Sequence, residues 1–340
     1  MGRRDKRFSK SLHQQAYDTF VGMQAFGESK KAAVADEAAY DKIFSYETYK
    51  TYWKHTKYFL RWMKLNHPEC TTMKSAKKYV NEWLQSRVDQ GLSAWTIHTE
   101  AAAMNKLFQV DRNDPKRFQT PKRKREDIIR SRVSTVRDKH FSVTNNDELI
   151  KFCRGTGCRK GVLEKLEGRD LWSGERMLAE VDLLEKKSEL TENEKSHLAA
   201  LQDALTVFPE QDYFVHHRKD KNGRYRFAPI VGPDKNQIVQ RMKETGEHEK
   251  VWMYVHSGAD VHGYRADYAN RIYKMFARDI DLIPYDAYHH GLGAWFQSEV
   301  YICRKDEAGK RLDKQAMLKC SKALGHNRID VVAINYLRGL

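Results

Sequence analysis

Arg159 stands just after a Thr156-Gly157 turn, near the start of a predicted helix, where unpaired backbone N–H groups favour an anion. Lys221 sits at the tip of a predicted hairpin in KNGRYRFAP. His262 and Arg265 stand three apart in VHGYRADYANRIY, which puts both on one helical face. His326 and Tyr336 close the series in LGHNRIDVVAINYLRGL. Two arginines, a lysine, two histidines and a tyrosine are what a phosphodiester-cleaving site needs without a metal.

The reason is electrostatic. A phosphodiester attacked by oxygen passes through a state with charge spread over its non-bridging oxygens, which two guanidiniums can grip in bidentate fashion. Tyr336 supplies the nucleophile, and since a phenol ordinarily ionises near pH 10 it needs a base or a cationic setting. His262 is the candidate base. Lys221 is placed to protonate the departing 5′ sugar oxygen, with Lys219 two residues away as an alternative. His326 would hydrogen-bond the phosphate and order the segment bearing Tyr336.

Each of these residues has a plainer reading. A single arginine is most often a surface or salt-bridge residue, and a tyrosine near a chain end can simply pack a helix. The histidine pairs His216–His217 and His289–His290 have no acidic partner at ligand spacing, so no metal ligand is assigned and no cofactor is expected.

Composition sets the partner. Lys and Arg number 61 against 46 acidic residues, a formal charge of +15 that argues for a polyanion, nucleic acid first and an anionic membrane second. No apolar run approaches the roughly 20 residues of a membrane-spanning helix. The opening MGRRDKRFSKSLHQQAYDTF has charge but no signal-peptide core, so a cytoplasmic, nucleoid-associated protein of prokaryotic type is expected. The five cysteines lack paired spacing and are read as free thiols.

The elements that must position the site follow from periodicity. SYETYKTYWKHTKYFLRWMKL places Tyr49, Trp53, Phe59, Leu60 and Met63 on an apolar helical face with Ser45 as N-cap. Lys50, Lys54, Lys57, Arg61 and Lys64 form a basic stripe opposite, either a DNA contact or a solvated face. Two more helical patterns follow, the second capped by Ser93, so residues 1–110 read as an all-helical domain whose first ~35 residues are expected to be flexible. The stretch 111–140 reads as a linker, with Lys122, Arg123, Lys124 and Arg125 able to track phosphates. From 141 to 340 the pattern mixes helix and strand. A helical hairpin insertion is expected at about 173–206, with a capping box at Thr191 and Glu194, and a second insertion at about 278–320. Two β-rich runs flank an Asn222-Gly223 turn. The fold class is mainly α with a small antiparallel sheet.

The ordered set resembles the tyrosine recombinases, the phage-type integrases. TGCRKGVLEKL is similar to their first-arginine box, KNGRYRFAP to their lysine hairpin, HGYR to their His-x-x-Arg box, and LGHNR with NYL to their terminal histidine and tyrosine. The resemblance spans nearly the whole chain. It implies a helical core-binding domain followed by an α+β catalytic domain, clamped around duplex DNA, and site-specific cleavage through a 3′-phosphotyrosyl intermediate. It further implies strand exchange in a homotetramer, accessory DNA-bending or directionality factors, and integration or excision of a mobile element. Val162 stands where that family often carries an acid, so support for Arg159 must come from elsewhere. YHHGLGAWF imitates the His-x-x-Arg box but has Gly293 at the arginine position and is rejected. The reading from another class is an architectural or regulatory DNA-binding protein on the same scaffold.

Overall fold

A computed structural model describes residues 10–36, 39–124, 141–220, 224–286, 296–304, 307–326, 328–337 and 340. They are mainly α-helical with two small antiparallel sheets and divide into two compact units, Met1–Ser131 and Arg132–Leu340.

The first unit is helical: α1 (Leu12–Gly22), α2 (Lys30–Ala35), α3 (Tyr46–Asn66), α4 (Met73–Ala76), α5 (Val80–Asp89) and α6 (Ala94–Leu107). Hydroxyl caps start several of these helices, Ser11, Ser29, Thr72 and Ser93 each accepting a backbone N–H from the first turn. Ser45 holds the N-cap position of α3, but its side chain makes no capping bond among the described residues. The buried face of α3, Tyr49, Phe59, Leu60 and Met63, meets Phe20, Trp83, Leu84 and Met104 in one core. Full burial of a side chain such as Phe59 contributes roughly 2 kcal/mol of transfer free energy. Among the described residues of this unit, one acidic side chain lies inside. Glu100 is fully buried and takes Arg87 in bidentate fashion, both contacts at 3.1 Å, while His55 Nδ1 lies 3.3 Å away. Burial by itself would raise its carboxyl, but the bonds from His55 and Arg87 bring it below the ordinary value.

Within the first 35 residues, α1 starts at Leu12 and Ala16 and Phe20 lie in the core. The stretch read as linker is held against the helical unit as far as Arg123. Asn81 donates to Lys116 O at 2.8 Å, Phe118 packs on the core, Thr120 Oγ1 lies 2.9 Å from His98 Nε2, and Arg123 stacks over Trp95 at 4.8 Å.

The second unit opens with α7 (Asp147–Thr156), a single turn α8 (Lys160–Leu163) and β1 (Leu171–Ser173). α9 (Gly174–Glu185) and α10 (Glu192–Val207) form a helical hairpin, and the Thr191–Glu194 capping box is made in both directions. β2 (Tyr213–Asp220) and β3 (Arg224–Pro229) complete a sheet of order β1-β2-β3. Phe214 and Val215 belong to two different apolar clusters, so the sheet is buried on both faces. α11 (Lys235–Glu244) and α12 (Val261–Phe276) follow, then β4 (Val300–Ile302) paired with β5 (Arg311–Asp313), α13 (Lys314–Leu324) and α14 (Ile329–Asn335). The segment expected to be inserted at about 278–320 thus contains the two-stranded sheet and runs into α13, while its residues 287–295, 305 and 306 lie outside the described ones.

Candidate active site

Two left-handed glycine turns build the centre. α7 ends at Gly157 with φ +58°, its N–H bonded to Cys153 O at 2.9 Å. A Cβ there would lie 2.3 Å from the ring of Tyr268, which is fully buried and donates its hydroxyl to Pro229 O at 2.8 Å. Only glycine fits both the conformation and the approach. The turn delivers Arg159 in extended conformation ahead of α8. That helix is one turn long, so the anion-favouring helix start expected here is weak.

The second turn closes α13. Gly325 has φ +68°; its N–H reaches Lys322 O at 2.9 Å and the His326 N–H reaches Ser321 O at 2.8 Å, a Schellman motif. Ser321 Oγ donates to His326 O at 2.9 Å, which fixes the residue further.

Both turns expose backbone carbonyls of helix C-termini, where partial negative charge accumulates, and the arginines lie on them. Arg265, fully buried on α12, donates from Nη1 to Gly157 O and from Nη2 to Leu324 O. Half-buried Arg159 donates from Nη2 to the same Leu324 O at 3.4 Å. Arg265 Nε also reaches the hydroxyl of Tyr336 at 3.4 Å, and His326 Nε2 stands 3.3 Å from that hydroxyl. Tyr336 caps α14 and, 8 % exposed, belongs to the core cluster of this unit. Arg159, Arg265, His326 and Tyr336 are therefore brought together. His262 is exposed on the first turn of α12, three residues before Arg265. Lys221, and with it the Asn222-Gly223 turn, lies outside the described residues.

A cavity of about 710 Å³ opens beside Arg159, and Lys165, Arg218, Lys250 and Tyr225 are among its lining residues. Val162 lines it as well. Arg218 is bound to the carboxylates of Asp170, at 2.6 Å, and Glu167, at 3.0 Å. Burial raises the Asp170 carboxyl despite the bonds from Arg218.

One pair escaped the sequence reading. His217 and Arg226 face each other across β2 and β3, and Arg226 Nη2 approaches His217 Nδ1 at 2.9 Å. Both are buried, and Arg226 donates from Nη1 to Ala323 O, one residue before the carbonyl shared by Arg159 and Arg265. Strand alternation was the available signal, but the register between His217 and Asp220 is shifted. A regular two-residue Asn-Gly turn would have set His217 against Ala228 instead.

In the first unit Lys54, Arg61 and Lys64 are exposed, Lys57 is half-buried, and Lys50 is paired with Glu47 at 2.8 Å. Lys122, Arg123 and Lys124 are exposed, while Arg125 lies outside the described residues. Among the described residues no cluster of His, Cys, Asp and Glu could hold a metal ion, and no helix is long and apolar enough to cross a membrane.

The chain matches no family model and no curated protein. A solved structure of XerA recombinase is similar over 95 % of this chain and 93 % of that one, at 15 % identity and a TM-score of 0.18. So slight a likeness carries no argument about fold or function.

Proposed function

We propose that the protein is a site-specific DNA recombinase of the tyrosine type, breaking and rejoining duplex DNA through a covalent tyrosine. The observation that supports this reading is the meeting of Arg159 and Arg265 on Leu324 O, with the Tyr336 hydroxyl 3.4 Å from Arg265 and 3.3 Å from His326. In the proposed step the phenolic oxygen forms a bond to phosphorus while the bond from phosphorus to the 5′ oxygen breaks. Charge gathering on the non-bridging oxygens is met by the two guanidiniums. The 3.3 Å contact favours His326 over His262 as the group that takes the phenolic proton, since reach precedes pKa in choosing a base. His262, exposed and one turn from Arg265, is then the proposed contact to the phosphate. Lys221 remains the proposed donor to the leaving 5′ oxygen, with Lys219 as the alternative. Duplex DNA is the proposed partner. A homotetramer on DNA and accessory bending or directionality factors belong to the same proposal.

A nicked suicide duplex carrying the site protected in footprinting tests it. A protein–DNA adduct that survives denaturing electrophoresis and disappears with Tyr336→Phe is expected. An adduct that persists in that variant removes Tyr336 from the reaction, and no adduct with the unaltered chain overturns the enzymatic reading.

A further inference from the structure

The interior of the second unit holds a polar chain to which the proposed chemistry gives no task. It starts at Cys158 Sγ, 4.0 Å from His217 Nε2, continues from His217 Nδ1 to Arg226, and ends where Arg226 donates to Ala323 O. Arg226 also lies flat against the glycine turn, since a Cβ on Gly325 would come within 2.8 Å of its Nε. The carbonyl it holds immediately precedes the one gripped by Arg159 and Arg265, and His326 follows two residues later.

We propose that Arg226 and His217 are positioning residues: they clamp the C-terminal turn of α13, so that Leu324 O is held for the two arginines and His326 is aimed at Tyr336. Three guanidiniums converge on the end of one helix, and each finds a carbonyl that the helix leaves without an internal partner. His217 supplies the other anchor. An arginine has no acceptor, so the nitrogen facing it must carry a lone pair, which fixes the imidazole as neutral with its proton on Nε2, toward Cys158. A protonated His217 could not hold Arg226 at all. The charged and titratable groups acting on His217 are Arg226 from β3, Arg265 from α12, Arg159 from the α7–α8 turn and His216 from its own strand. Burial first, and then the neighbouring guanidiniums, Arg226 foremost, keep the imidazole well below its ordinary pKa, in agreement with that assignment.

This inference rests on the proposed cleavage reaction for its consequence, and on geometry alone for the clamp, so two measurements separate them. Imidazole ¹⁵N spectra of the full chain test the clamp without DNA. His217 should show an acceptor Nδ1 and a protonated Nε2, with no titration between pH 8 and 5.5, and Arg226→Lys should shift the ring signals of His326. A His217 signal that titrates in that range, or a His326 signal indifferent to Arg226→Lys, overturns the clamp. Single-turnover cleavage tests the consequence. Lysine keeps the charge but cannot span both Ala323 O and His217, so Arg226→Lys should slow cleavage tenfold to a hundredfold, the loss expected from slight misplacement of reacting groups. DNA affinity should change less than twofold. His217→Gln, which can still accept from Arg226, should recover most of the rate that His217→Leu loses. Equal rates in all variants, in a chain that does form the Tyr336 adduct, overturn the positioning role. Failure of the unaltered chain to form the adduct speaks against the reaction and leaves the spectroscopic test standing.

Discussion

The guanidinium of Arg265 spans the ends of two helices, taking Gly157 O at one and Leu324 O at the other, and its remaining nitrogen reaches Tyr336. Arg159 shares Leu324 O but is only half-buried. The two arginines consequently differ in what their loss does to the fold. Arg265→Ala should leave the Gly157 carbonyl without its guanidinium, leave Leu324 O only the 3.4 Å contact from Arg159, and open a void, lowering stability by about 2–4 kcal/mol. Arg159→Ala should stay within about 1 kcal/mol of the unaltered chain. On the proposed mechanism both should lose on the order of a hundredfold or more in adduct formation. Urea denaturation read beside single-turnover cleavage checks this; two arginines with equal stability effects would mean that the double carbonyl grip is worth nothing.

Gly157→Ala makes a steric prediction independent of function. The left-handed backbone and the 2.3 Å approach to the pinned Tyr268 ring act together, so a loss of roughly 3 kcal/mol is expected. Gly161, in α8, has open space around it, and Gly161→Ala should be neutral or gain up to about 1 kcal/mol. Thermal unfolding of the two variants side by side decides it. Similar melting points would place the Tyr268 contact in doubt.

These features lie beyond local sequence signals for physical reasons. Periodicity located the buried face of α3 and both arms of the α9–α10 hairpin, because apolar side chains at helical spacing and a capping box are local signals. The Thr156-Gly157 turn was visible, but the need for glycine there comes from Tyr268, more than a hundred residues later. In the sequence Arg226 stands only as part of a hairpin motif. Its pairing with His217 depends on a register shift that alternation cannot foresee, and its grip on Ala323 O depends on how β3 meets α13. The one-turn length of α8 is likewise not a clear local signal, since KGVLEKL mixes good helix formers with Gly161 and Val162.

Acid should destabilise the second unit through His216. This imidazole stacks on Phe227 at 4.4 Å, and its Nε2 is buried with no hydrogen-bond partner among the described residues. Burial first, then the charges of His197, Arg218 and Arg176, push it down to about 3 from 6.5. A histidine depressed in the folded state binds its proton preferentially when unfolded, so stability is complete above pH 6.5 and falls as pH drops toward 3. The expected loss from pH 7 to pH 5 is about 2 kcal/mol. His216→Phe removes the buried nitrogen and should take away its share of this limb, with little change at pH 7, while the share of the likewise depressed His217 remains. Urea midpoints across the range test it; an equally steep decline in the variant would assign the acid sensitivity to other groups.

The basic stripe of α3 offers a test of DNA contact that does not need cleavage. Neutralising phosphates releases condensed counterions, so affinity falls with salt in proportion to the phosphates contacted. With about six contacts the log–log slope should be roughly −5. The stripe is not uniform, and that makes the prediction specific. Lys54, Arg61 and Lys64 extend into solvent, whereas Lys50 is held by Glu47 at 2.8 Å and must leave that partner before it can meet a phosphate. Alanine at Lys54, Arg61 or Lys64 should each reduce the slope by about one, with Lys50→Ala changing it least. Fluorescence anisotropy titrations between low and moderate salt measure these slopes directly. Four unchanged slopes would make the stripe a solvated face and move the phosphate contacts elsewhere, Lys122, Arg123 and Lys124 being the next set to replace.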